Sequence, residues 1–119
     1  MLIGQSVLAP TGGGATYYSP WMPRQGDEFS VQIEVIETSA TAASDVDFDC
    51  VVQTKNNEDS DNSPTVLGST LSPTVTAGTV SNDQYSGALE LVRYKYTLTG
   101  TSSQQWVHFR ANAPIWFPN

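Results

Sequence analysis

Apolar and polar residues alternate with a period of two along most of this chain, the pattern of a strand with one buried face. It is clearest from Glu28 to Glu37, where Phe29, Val31, Ile33 and Val35 alternate with Ser30, Gln32 and Glu34. Ile36 falls out of phase, which predicts a bulge or a partly covered outer face there. From Asp45 to Lys55 the inward set is Val46, Phe48, Cys50 and Val52, with Asp45, Asp47 and Asp49 on the other side. Shorter strands are expected over Leu2–Ala9, Thr16–Tyr18, Thr65–Leu71 and Val75–Val80. Turn residues separate them: a glycine-rich turn at Thr11–Gly14, turns at Gln25–Asp27 and Ser81–Asp83, and an acidic loop from Asn56 to Pro64. Two proline-locked segments, Ser19–Arg24 and Ala113–Pro118, are expected to stay out of any regular ladder.

The densest aromatic and β-branched stretch is Ala88–Asn119. Two runs flank the polar turn Thr99-Gly100-Thr101-Ser102-Ser103, which predicts an antiparallel hairpin. Val92, Tyr94, Tyr96 and Leu98 share one face of the first run; Val107, Phe109 and Ala111 share one face of the second. The opposite side of such a hairpin would collect Arg93, Lys95, Trp106, His108 and Arg110. The inward phase shifts between Leu91 and Val92, predicting a second bulge.

About seven or eight short strands, with turn signals roughly every 8–12 residues and no helical periodicity, predict an all-β fold. The expected form is an antiparallel β-sandwich, immunoglobulin-like or jelly-roll in connectivity. The 119 residues suit one domain. Residues 1–14 are expected to form an N-terminal strand and flexible arm, 15–112 the sandwich, and 113–119 an apolar C-terminal tail.

Composition narrows the function classes. A formal charge of −7 argues against a nucleic-acid binder, whose affinity would rest on Lys and Arg. No run approaches the ~20 apolar residues of a membrane helix, and the first residues lack the basic start of a secretory signal. The one cysteine, Cys50, sits on an inward face between Asp47, Asp49 and Val52, so it is expected to be a buried hydrophobe without nucleophilic character.

No pattern calls for a cofactor or a catalytic group. His108 is the one histidine, and no nucleophile elbow accompanies it. Asp59, Asp61 and Ser63 have the first three spacings of a calcium loop, but Pro64 replaces its turn glycine and Thr70 its bidentate glutamate. No stable calcium or transition-metal site is therefore expected. What does stand out is apolar load in places that cannot form a core strand: Trp21 and Met22, then Ile115, Trp116 and Phe117. The Trp21 segment reads as a plug over one end of the sandwich or as a contact site. Together with Trp106, His108 and Arg110, these residues make up the candidate interface, because protein contacts are rich in Trp and Arg. The tail could fold back or dock on a neighbour; its place beyond a complete hairpin favours the neighbour. The three tryptophans also allow a second reading, a sugar-stacking platform on a carbohydrate-binding or adhesive module.

In the order of its parts the chain resembles small all-β proteins encoded among the virion genes of tailed phages. The residues that carry the resemblance are Val52-Gln53-Thr54-Lys55-Asn56, Leu91-Val92-Arg93-Tyr94-Lys95-Tyr96 and Trp106-Val107-His108-Phe109-Arg110. It covers the chain from about Asp27 onward. The resemblance implies a non-enzymatic virion component assembled in the host cytoplasm: a head decoration or cement protein, with a tail or neck part as the alternative. The partners it implies are the major capsid protein or another virion protein, and further copies of the chain itself in a homo-oligomer. Neither nucleic acid nor membrane is implied.

Overall fold

The two longest alternating segments do not pair with each other; each becomes an inner strand of its own antiparallel sheet. The computed structural model describes residues 6–10, 14–42, 45–100 and 105–117. Among these, ten strands run in chain order: β1 (Ser6–Pro10), β2 (Ala15–Tyr18), β3 (Met22–Pro23), β4 (Glu28–Thr38), β5 (Val46–Lys55), β6 (Thr65–Leu71), β7 (Val80–Ser86), β8 (Leu91–Gly100), β9 (Trp106–Ala111) and β10 (Ile115–Phe117).

In one sheet, β4 has β7 on one edge. Its other edge is shared by β9 along the C-terminal half and β10 along the N-terminal half, with β1 outside β9. In the other sheet, β8 lies between β5 and the short β2 and β3, and β6 flanks β5. The two sheets pack into an all-β antiparallel sandwich. We call them the β4 sheet and the β8 sheet.

The core consists of the inward sets read from the alternation. Phe29, Val31, Ile33, Val35, Cys50, Val52, Val92, Tyr94, Val107 and Phe109 have no exposed surface, and Val46, Phe48 and Tyr96 almost none. Phe48, Tyr96 and Phe109 form its aromatic centre, with ring centroids 4.6 Å apart for Phe48–Phe109 and 5.0 Å for Tyr96–Phe109. Cys50 lies among them, and burial pushes its thiol up to about 12. Burial likewise raises the phenols of Tyr94 and Tyr96. The bulge expected at Ile36 is present as a register shift between Val35 and Glu37 in the β4–β9 ladder.

Four expectations are corrected. First, β8 and β9 form no hairpin. They lie in opposite sheets, joined through residues 101–104, which fall outside the described set. β8 finds in β5 a longer partner than the six-residue β9 could offer, pairing with it from Leu91 to Gly100 without interruption. That unbroken ladder also removes the bulge expected at Leu91–Val92. Second, Val75–Val80 is mostly a turn, and the strand comes later, over Val80–Ser86. Its outward residues are polar except Val80, and of the inward set only Tyr85 is buried and apolar, so it carries little alternation; seven paired residues along β4 define it.

Third, the proline-locked segments do join ladders. Met22–Pro23 pairs with Val92 and Leu91, and Ile115–Phe117 pairs with Ser30, Phe29 and Glu28. The prolines of the tail flank this short strand instead of interrupting it, so its amides remain available. Fourth, the tail expected to favour a neighbour is built into the β4 sheet of its own chain, β10 against β4; the expected N-terminal strand is present in its described part as β1, against β9. Of the expected turn at Thr11–Gly14, residues 11–13 lie outside the described set.

Candidate functional site

Splitting β8 from β9 divides the expected basic face in two. Arg93 and Lys95 stand on the outer side of the β8 sheet, while Trp106, His108 and Arg110 stand on the outer side of the β4 sheet. The two groups have different surroundings.

On the β8 sheet, the chain leaving β2 continues irregularly along β8. Ser19 makes this possible: its N–H donates to Tyr94 O at 2.9 Å, and its hydroxyl accepts the Tyr94 N–H at 2.8 Å. Pro20 and Pro23 have no N–H to lose in such a path. Trp21 is thereby laid over the sheet, beside Arg93 and Lys55. The Arg93 guanidinium lies 4.2 Å from the Tyr18 ring centre and 4.4 Å from that of Trp21, and Lys55 Nζ lies 5.0 Å from the latter. These are cation–π distances.

Lys55 is 7% exposed. Burial of an ammonium is costly unless it is paired, and here Asp61 Oδ1 meets Nζ at 2.5 Å while Nζ donates to Asp59 O at 3.0 Å. The Lys55 contact is the main reason that the Asp61 carboxyl is held below its ordinary range. The Trp21 Nε1–H is buried beside the same carboxylate, outside strict hydrogen-bond geometry. Arg93 is fixed further by Nε donating to Gln53 Oε1 (2.8 Å) and Nη2 to Asp61 O (3.1 Å).

The loop carboxylates that suggested calcium therefore have internal partners: Asp61 holds Lys55, and Asp59 Oδ2 accepts the Asn56 N–H at 2.9 Å. Three of the five Lys and Arg residues of the chain, Lys55, Arg93 and Lys95, gather in this one region. Sequence reasoning had missed Lys55 and Tyr18 as members. Their register in β5 and β2 was legible; the sheet order that brings the strands to either side of β8 was not.

On the β4 sheet, β9 and β10 follow one another down the same edge of β4. Asn112 bridges them, its N–H donating to Gln32 O at 3.1 Å while its carbonyl accepts the Tyr94 hydroxyl at 3.0 Å. Trp106, His108, Arg110, Ile115 and Phe117 consequently share one outer face, so five of the eight residues singled out from the sequence come together. Ile115 is 54% exposed and Phe117 39%. Arg110 pairs with Glu34 at 2.7 Å, and the β4 and β7 residues beside the tail are Glu28, directly opposite Phe117, then Ser30, Gln32, Asn82, Gln84 and Ser86.

Trp116 is different, because it points inward and rests on Phe29 with ring centroids 4.7 Å apart. Gly26 makes room for this strand: a Cβ there would sit 2.8 Å from Phe117 O. Met22 packs against the core from the edge of the β8 sheet, and Trp21 belongs to the cation cluster.

Compared with protein-family models, curated proteins and solved structures, the chain matches none.

Proposed function

We propose that this protein is a non-enzymatic structural component of a tailed-phage virion, a head decoration or cement protein, and that it attaches to the capsid lattice and to its own copies through the outer face of the β4 sheet. The observation that carries this reading is the pair Ile115 and Phe117. Their strand is anchored by Trp116 and by pairing to β4, yet both side chains stand in solvent on a face that also presents Trp106. Burying a side chain of this size contributes about 1.5–3 kcal/mol, and the fold leaves much of that unrealised. A rigid strand also presents them at little entropic cost, since their backbone is already ordered.

The alternative of a sugar-stacking platform has less support. Trp21 has cations against its ring, and Trp116 has Phe29 against it. Neither offers the open aromatic face that a sugar ring needs, which leaves Trp106 alone, and one ring does not make a platform.

The test is the double variant Ile115→Ser, Phe117→Ser, with co-sedimentation against purified phage heads that lack the protein. Both side chains lie on the outer face, clear of the core, so the melting temperature should fall only modestly while binding to heads is lost. Binding at full affinity would place the attachment surface elsewhere or dismiss the virion role.

A further inference from the structure

A groove of about 270 Å³ opens on the outer side of the β8 sheet, lined by Tyr18, Gln53, Asp61, Asn62, Pro64, Arg93 and Lys95. We propose that it is a binding site for a single carboxylate, presented by an acidic side chain of a protein partner. The site lies on the sheet opposite Ile115 and Phe117, so it stands or falls independently of the attachment face.

The donors determine the ligand. Lys95 is half-buried in the groove and has no ion pair or hydrogen bond among the described residues. Its cross-strand neighbours are Tyr18 and Val51, neither of which can neutralise it. Gln53 gives its carboxamide oxygen to Arg93, so what it has left to offer is its NH₂. Arg93 is held between two rings and by two hydrogen bonds, with Nη1 uncommitted among the described residues. An ammonium, a fixed guanidinium and an amide N–H thus line one small space, a donor set suited to a carboxylate.

The groove also limits the charge it can accept. Asp61 forms part of its wall, which disfavours a phosphate dianion or a polyanion, and the chain's charge of −7 repels nucleic acid at long range. Its volume falls below the ~300–1,000 Å³ of sites that enclose a drug-sized ligand, so it has room for one side chain. The exposed Tyr18 ring and the Pro64 rim can cover that side chain's methylenes.

The experiment is a nuclear magnetic resonance titration of the whole chain with the peptide acetyl-Gly-Glu-Gly-amide, its Gln counterpart, and sodium glucuronate. The Glu peptide should shift the signals of Gln53, Asn62, Arg93 and Lys95 and bind with a Kd on the order of millimolar. The Gln peptide should not. Lys95→Gln, which removes no internal partner and should keep the parent's circular dichroism, is expected to weaken binding about tenfold; Lys95→Arg should retain it. Equal binding of the Gln peptide, or unchanged binding by Lys95→Gln, would overturn the site. Glucuronate binding tighter than the Glu peptide would overturn the protein partner and assign the groove to an acidic sugar.

Discussion

The outer faces of the two sheets are finished in opposite ways. Over the β8 sheet, a proline-bounded segment and an acidic loop close down on two cations, so Trp21, Lys55, Arg93 and Asp61 largely satisfy one another. Over the β4 sheet, a second proline-bounded segment joins the ladder, buries one aromatic residue and leaves two apolar side chains outside. Both segments looked alike in sequence, short and aromatic between prolines. What separates them is where the neighbouring strand had unpaired edge to offer. The N-terminal half of β4 had three consecutive positions free for the tail, whereas β8 holds the Trp21 segment at its two ends, through Ser19 and Met22–Pro23, and leaves Trp21 itself out of the ladder.

Removing the tail tests the β4 side of this comparison and should have the largest effect. Truncation after Ala113 removes Trp116 from Phe29 and exposes the edge of β4, so a loss of about 3–5 kcal/mol is expected in urea unfolding. A truncated chain as stable as the parent would mean that the tail is held by a neighbour and not by its own sandwich. The corresponding change on the β8 side is Trp21→Ala. Trp21 is only half-buried, so about 2 kcal/mol is expected, and the loss should be accompanied by movement of Arg93, seen as changed shifts at Tyr18 and Gln53. If Trp21→Ala costs more than the truncation, the two covers have been ranked the wrong way round.

The smallest effect concerns the charge that closes the β8 side. The Asp61 carboxyl is held below its ordinary range by Lys55, so its contribution is fully present above the unfolded value near ~3.9 and is lost as pH falls through the lower folded value. Asp61→Asn should therefore melt slightly below the parent at neutral pH, and the gap should close toward about pH 2. Asp61 is exposed and the buried Lys55 ammonium keeps its bond to Asp59 O, which together keep the difference small. A gap that stays constant on acidification would mean that the pair is not what holds the loop.

The core and the fold class were legible in the residues alone. Phe29 to Val35 and Val46 to Val52 announce buried faces because period-two burial is a local property, fixed by strand geometry whatever the partner. The bulge at Ile36 was visible for the same reason, as a break in phase. The candidate site was only half visible. The five residues from Trp106 to Phe117 that share an outer face could be named, and so could the weight of Trp21.

Pairing could not be read the same way. Thr99 to Ser103 has the composition of a hairpin turn, yet β8 and β9 pass to different sheets, and β5 gives β8 a ladder of ten pairs where β9 has only six residues to offer. Val80–Ser86 carries almost no alternation, and β4 alone makes it a strand. The groove over Lys95 depends on β2, β5, β8 and the acidic loop arriving at one place from positions far apart in the chain. Which residues want burial is written locally; which strands meet, and therefore which cations and rings stand together, is decided by competition among ladders that only the assembled fold resolves.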